Sequence, residues 1–354
     1  MPGYDIVPLE HEGINVAAVQ MNSINIDPKN PEAGKKRNLA YMLRFCDIAM
    51  MFGLPKHLIA FPEFSITGQN TYWTREEWSR IALMVPGPET ELISQKAKEL
   101  GCYIAFGSHT QDRAWPGHFF NCSVLVSPTA GVIHTHWKAI SGFPGHGLEY
   151  VTDVHAVLDK FVEKYGWDAV WPVARTPIGN IATYICGEGW APETARMFAF
   201  NGAEILCRCI AGGAPGRATL LFRADCAANQ CYGVYANKCT RRGIGSMGGG
   251  GSMIVGPNGE ILAQAQDAAE QVVWATIPIS LHRNTHLPPN IKTEVYAPMY
   301  HQHQGQFPPN LYAEYLPKDY DDARQWAQKH KRDDRPGRFT LPPRLNPEEI
   351  EIKV

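Results

Sequence analysis

The chain has 354 residues, 44% of them hydrophobic, enough to bury one large core or two modest ones. Its 33 basic and 35 acidic residues leave a net charge of −2 with no basic stripe or acidic tail, so neither nucleic acid nor a membrane surface is expected as a partner. No apolar run approaches the ~18 residues of a membrane span, and the opening MPGYDIVPLEHEG lacks the charged-then-apolar pattern of a signal peptide.

In chain order, INVAAVQM (14–21) reads as a strand. Asn30-Pro31 follows as an N-cap with proline at the first helical position, and Leu39, Met42, Leu43, Cys46 and Met50 then recur at helical spacing. HLIAFPEF (57–64) predicts a strand ending in a turn. ETELISQKAKEL (89–100) predicts a helix closed by Gly101, and CYIAFGSHT (102–110) a strand. FNCSVLVSP (120–128) turns back through GVIHTHWKAI (131–140) as a hairpin. NIATYICGE (180–188) and AEILCRCIA (203–211) are strands flanking a helix at 192–200, and 217–232 predicts another helix. VYANKCT, SMIVGPNGEILAQAQ and QVVWATIPI close the pattern as strands, the middle one a hairpin around Pro257-Asn258-Gly259.

No linker interrupts the chain before about residue 290, so residues 1–296 form a single α/β domain with mixed strand pairing and outer helices. Two segments look added. Residues 150–170 predict a helical insert with Val154, Val157, Leu158 and Phe161 on its apolar face. Residues 297–354, rich in proline, histidine and charge, form a C-terminal extension expected to wrap over the core or a neighbouring subunit. Nine cysteines without a regular framework predict buried thiols in a reducing, cytoplasmic setting.

The chemistry starts at YICGEGWAPETAR (184–196), where an apolar strand ends on Cys186 and a proline-marked helix follows. A thiol at a helix start meets the positive end of the dipole, which favours thiolate, and the Gly187 N–H can face a developing oxyanion. A lone cysteine after an apolar run also reads as a packed small hydrophobe. Two more strand ends carry Glu63 (FPEFSITG) and Lys138 (THWKAI), and Glu149 (GHGLEY) follows eleven residues after the lysine. Each alone reads as a solvated rim residue. Together, a carboxylate base, a lysine and a thiol are what amide hydrolysis needs.

Glu63, Lys138 and Cys186, in this order and context, resemble the Glu-Lys-Cys triad of the nitrilase superfamily of carbon–nitrogen hydrolases. The resemblance spans about residues 14–280 and rests on "PE" with Gly68, "HWK", the cysteine segment, "GAEIL" and "GGSMIVGPNGEILA". It implies a four-layer αββα sandwich that pairs through its helices into homo-oligomers, no metal or organic cofactor, and Glu149 as a second, auxiliary glutamate. Gly187 stands where true nitrilases carry tryptophan. Gly189 and Trp190 stand where N-carbamoyl amino acid hydrolases often carry arginine. Cys-x-acid-Gly-x-x-Pro-Glu (186–193) and GAEILCRC (202–209) are more similar to aliphatic amidases and formamidases, which implies a small, neutral carboxamide as substrate. A nitrilase or N-carbamoyl hydrolase, and a catalytically silent binding protein on the same fold, stay open as alternatives.

Tyr72, Trp73, Phe143, His146 and Trp190 lie in loops near these residues and are the expected pocket walls, with Gly187. Gly243-Ile-Gly245-Ser-Met-Gly248 fits a dinucleotide fingerprint literally, but it opens into a strand rather than a helix. His282 and His286 lack a third ligand, so no metal site is expected. Cys207 and Cys209 share one strand face, with Arg208 opposite, where it is expected to hold carboxylates near the site.

Overall fold

A computed structural model describes residues 4–141, 149–212, 216–239 and 249–333. The strands are β1 (Ile14–Gln20), β2 (Leu58–Ala60), β3 (Leu83–Met84), β4 (Tyr103–Gln111), β5 (Phe120–Ser127), β6 (Gly131–Trp137), β7 (Ala174–Thr176), β8 (Gly179–Ile185), β9 (Ile205–Ile210), β10 (Tyr232–Asn237), β11 (Met253–Val255), β12 (Ile261–Gln264) and β13 (Gln271–Ile277). They form two sheets, one ordered β13-β1-β2-β4-β5-β6 with β3 on β4, the other β12-β11-β10-β9-β8-β7. At the centre of each sheet three strands run parallel, β1-β2-β4 and β8-β9-β10; the pairings that flank the two trios are antiparallel, apart from parallel β3 on β4.

Alternation along these strands builds the layers. Val16, Ala18, Leu58, Ala60 and Ala105 of the first sheet meet Ile181, Ile205, Cys207, Val234 and Ala236 of the second in one core. Their neighbours Ala17, Val19, Ile59, Ile104 and Phe106 turn outward onto helices α1 (Pro31–Met51) and, past α2 (Arg75–Ile81), α3 (Pro88–Leu100). On the far side, beyond α4 (Leu158–Tyr165), Ala182, Tyr184, Leu206 and Tyr235 pack on α5 (Pro192–Phe200) and α6 (Arg217–Asn229). The result is the four-layer αββα sandwich.

Local details depart from expectation where tertiary contacts decide. Pro31 opens α1, but the Asn30 side chain makes no capping hydrogen bond. Helix α2 was not legible from apolar spacing; a capping box between Thr74 and Glu77 starts it. The insert is broken into 3₁₀ turns at 155–157 and 167–169 around α4.

The C-terminal segment adds α7 (Ile279–Thr285), α8 (Thr293–Gln302), which runs across residue 297, and α9 (Tyr320–His330). Through Phe307, Leu311, Tyr312 and Ala327 it packs on the core of its own chain, against Val154, Val157 and Phe161 of the insert. Tyr320 and Ala323 pack beside Trp73, Trp78, Phe119 and Tyr150. No disulfide joins any of the nine cysteines. Among the described residues no helix is long and apolar enough to cross a membrane.

Candidate active site

The site forms where the carboxyl ends of β2 and β8 face each other across the sandwich. Past β2 the chain turns through Phe61-Pro62 to Glu63, whose N–H donates to the Ile210 carbonyl at the end of β9 in the other sheet. Gly107 on β4 makes this crossing possible. A Cβ there would stand 2.8 Å from Glu63 Cα, 3.1 Å from Ile185 Cδ1 and 3.2 Å from Cys209 Cβ. Only hydrogen fits between the two sheets at this level.

Glu63 is buried and Lys138 nearly so. Lys138 Nζ lies 3.5 Å from Glu63 Oε1 and 3.0 Å from Glu149 Oε2. Asn121 on β5 bridges the two carboxylates. Its Nδ2 donates to Glu63 Oε1 at 2.7 Å and to Glu149 at 3.0 and 3.1 Å. The Cys186 thiol lies within electrostatic reach of Glu63 and Lys138, and the Ala211 backbone favours its ionised form. Gly187 stands beside the lysine: an added Cβ would lie 4.0 Å from Lys138 Nζ. One thiol, two carboxylates and one ammonium therefore converge, and Asn121 completes the set.

Burial pushes Glu63 above the ordinary carboxylate value; Lys138 opposes the rise and Glu149 adds to it. Burial alone would lower Lys138, but Glu149, Glu63 and Cys186 together hold it above the ordinary lysine value. Burial and the charge of Glu63 push the Cys186 thiol up to about 12, against the pull of Lys138 and Arg208. This corrects the expectation of a helix-stabilised thiolate. Residues Cys186–Trp190 form a 3₁₀ turn, and α5 begins only at Pro192. The resting sulfur carries its proton, next to a carboxylate that can take it.

Cys186 holds a φ of 23°, outside the ordinary range for an L residue. Two groups impose it. Arg208, buried on β9, donates through Nε (3.1 Å) and Nη2 (2.5 Å) to the Cys186 carbonyl, not to a carboxylate as the sequence reading has it. Glycine is required at 189 because a Cβ would meet Arg208 Cζ at 2.2 Å. The fully buried Glu188 carboxylate accepts from the Ile185 N–H (2.8 Å), the Ala139 N–H (2.8 Å) and His136 Nε2 (3.0 Å). It ties the strand before Cys186 to the residue after Lys138, so the thiol and the ammonium sit in register across the sandwich.

The expected pocket walls are only partly placed together. Gly187 and Trp190 share the 3₁₀ turn that begins at Cys186, and a Cβ on Gly187 would stand 3.8 Å from the Trp190 ring. Tyr72 is exposed, and Trp73 is buried against Trp78, with its carbonyl accepting from the Tyr150 hydroxyl. Neither lines the narrow cavity beside Glu149, about 10 Å³, whose walls include Gln69, Trp78, His109, Phe119 and Tyr150. Phe143 and His146 lie outside the described residues, as does Gly243–Gly248. His282 on α7 and His286 just past its end lie with tilted rings 4.8 Å apart, and His286 bonds the Tyr4 hydroxyl. Among the described residues no group of three potential metal ligands occurs.

Sequence reasoning missed Asn121, His136 and the true partner of Arg208. The first had a readable signal: an amide inside an otherwise apolar strand is disfavoured unless it is bonded.

The αββα sandwich with these strand-end residues is the architecture of the nitrilase superfamily. The carbon-nitrogen hydrolase family model matches residues 15–286, and the chain belongs to that family. A formamidase of Bacillus cereus (strain G9842) is 33% identical over 156 residues, which is 43% of this chain and 40% of that protein. The chain thus aligns with less than half the length of such relatives. A mutant of the amidase from Nesterenkonia sp. AN1, showing covalent addition of the acetamide moiety of fluoroacetamide at its active-site cysteine, superposes with a TM-score of 0.60 at 16% identity, covering 83% of this chain and 99% of that one. Saccharomyces cerevisiae Nit3 gives a TM-score of 0.64 at 18% identity, covering 82% and 99%.

Proposed function

We propose that the protein hydrolyses the C–N bond of a small, neutral carboxamide, giving a carboxylic acid and ammonia or an amine. The observation that carries this is the convergence of the Cys186 thiol, Glu63 and Lys138 at facing strand ends. The formamidase relatives, and the amidase whose mutant shows covalent addition of the acetamide moiety of fluoroacetamide at its active-site cysteine, support the same reading.

Cys186 Sγ attacks the amide carbonyl carbon while Glu63 takes the thiol proton. The carbonyl electrons move to oxygen, where the Lys138 ammonium and the Gly187 N–H hold the negative charge. The C–N bond then breaks, and Glu63 returns the proton to the departing nitrogen. Water attacks the thioester as Glu63 takes its proton; the C–S bond breaks, and the proton passes back to sulfur. Glu149, bonded to Lys138 and Asn121, holds the ammonium on its line. No metal or organic cofactor enters the scheme. The working unit is proposed to be a homo-oligomer in the cytoplasm, with residues 1–296 as the hydrolase domain and the rest as a buttress on it.

The test is a panel of short amides, nitriles and N-carbamoyl compounds with continuous ammonia detection and intact mass at early times. Amide turnover, with an acyl adduct on the wild type and none on Cys186→Ala, is the expected result. Ammonia release that persists in Cys186→Ala overturns the assignment.

A further inference from the structure

Lys238 follows β10 directly, and nothing above uses it. β8, β9 and β10 are parallel and in register, with Ile185 opposite Cys209 and Asn237 opposite Ile210. By that register Cys186 is level with Ile210 and Asn237, and Lys238 with Ala211, one position further along the same sheet edge. The Ile210 carbonyl accepts two N–H groups, that of Glu63 from the opposite sheet (3.3 Å) and that of Lys238 (3.2 Å). One atom thus pins the backbone of the carboxylate and that of the lysine together. The Lys238 ammonium reaches back over the ring of Phe64, 5.3 Å from its centroid, next along the chain from Glu63.

Among the described residues no carboxylate lies within ion-pair distance of this ammonium, whereas Lys138 has two. Its charge acts on Glu63 from the β2 turn, Cys186 from the end of β8, Cys239 beside it and His109 from β4. Burial draws the ammonium down to about 8, and Glu63, Cys186 and Cys239 oppose that fall. An ammonium kept close to the reacting centre without its own counter-ion has one negative partner to serve: the charge that Glu63 and the Cys186 sulfur pass between them.

We propose that Lys238 is a positioning residue that stabilises, through space, the single negative charge shared by Glu63 and Cys186, so that the pair is ionised and ready to attack at neutral pH. This rests on the reading of Cys186 as nucleophile. It adds a second cation, at the end of a strand in the other sheet from that of Lys138. No proton or bond is assigned to Lys238 itself; it acts by charge alone. Because the carboxylate and thiol interact strongly, their titration belongs to the pair.

The test is the pH dependence of Cys186 alkylation by iodoacetamide, read by intact mass and peptide mapping, which needs no substrate. Removing the cation in Lys238→Met should raise the acid limb of that profile by about one unit, so alkylation below the limb slows about tenfold. Lys238→Arg should return the limb to the wild-type position, and Lys238→Gln should behave as Lys238→Met, which guards against a fold defect in any one variant. An alkylated Cys186 whose limb is the same in Lys238→Gln and wild type overturns the inference alone. So does a KM increase confined to carboxylate-bearing amides with an unmoved limb, which would make Lys238 a substrate-docking group. A wild-type Cys186 that resists alkylation at every pH overturns the nucleophile reading, and this inference with it.

Discussion

Asn121→Leu isolates what the amide bridge contributes. Asn121 is fully buried, and its Nδ2 is the donor shared by Glu63 and Glu149. Its Oδ1 has no hydrogen-bond partner, so an apolar side chain of similar size strands no donor on another residue. Only the bonds to the carboxylates are lost. A hydrogen bond to a charged acceptor contributes about 1.5–3 kcal/mol, and 1.36 kcal/mol is one pKa unit. The bond favours ionised Glu63, so its loss favours the protonated form and raises the acid limb of kcat/KM by about one to two units. At a pH below the wild-type limb the rate should fall roughly 10- to 100-fold, while rates on the plateau change far less. The assay is ammonia release across the pH range, with thermal unfolding as the control for folding. A folded Asn121→Leu chain with an unmoved limb would refute the claim that this donor sets the charge on Glu63.

Three further outcomes follow from the same geometry. Gly107→Ala inserts a methyl 2.8 Å from Glu63 Cα; overpacking of about 1–3 kcal/mol should lower Tm by roughly 1–4 °C and reduce turnover together with it, read by differential scanning calorimetry. Glu188→Gln turns one carboxylate oxygen into an NH2 that must face either the Ile185 or the Ala139 N–H, and a loss of about 3–5 kcal/mol in denaturant unfolding is expected, with Cys186 alkylation slowed as the turn loosens. Burial would raise Glu204, but Arg283 (Nε and Nη2, both 2.7 Å) and the Asn180 N–H hold it below its ordinary value of 4.5. A depressed carboxylate stabilises the fold fully above that value and loses its contribution as pH falls below it. The stability gap between wild type and Arg283→Gln should therefore be largest at neutral pH and narrow on acidification; a gap independent of pH would contradict the assigned pair.

The C-terminal segment shows what local pattern cannot supply. Its apolar residues are too sparse to predict a fold, yet Tyr320 and Ala323 of α9 support the wall formed by Trp78, Phe119 and Tyr150. Arg75 ties the segment down by donating to the Pro317 carbonyl and by facing the Phe119 ring at 5.2 Å. Its order comes from surface already built by the sandwich and the insert. Trp73 misled for the related reason that an aromatic in a loop can turn inward, and Trp78 provided the partner.

Much of the molecule was legible because it depends on short-range pattern. Near-continuous apolar runs along β1, β4, β8 and β9 mark two-sided burial, proline and glycine mark the starts and stops of α1 and α3, and strand-end residues of unusual chemistry mark Glu63, Lys138 and Cys186 as candidates. The sequence by itself determined that a thiol, a carboxylate and an ammonium are available at strand ends of an α/β chain, with a second carboxylate eleven residues past the ammonium. Only the tertiary structure decided that they meet. Gly107 lets the sheets approach, Glu188 sets the register between the lysine and cysteine strands, and Asn121 and Lys238 arrive from strands far away in sequence. Those choices rest on contacts across the sandwich, and charge and burial act through space, with no periodicity along the chain to record them.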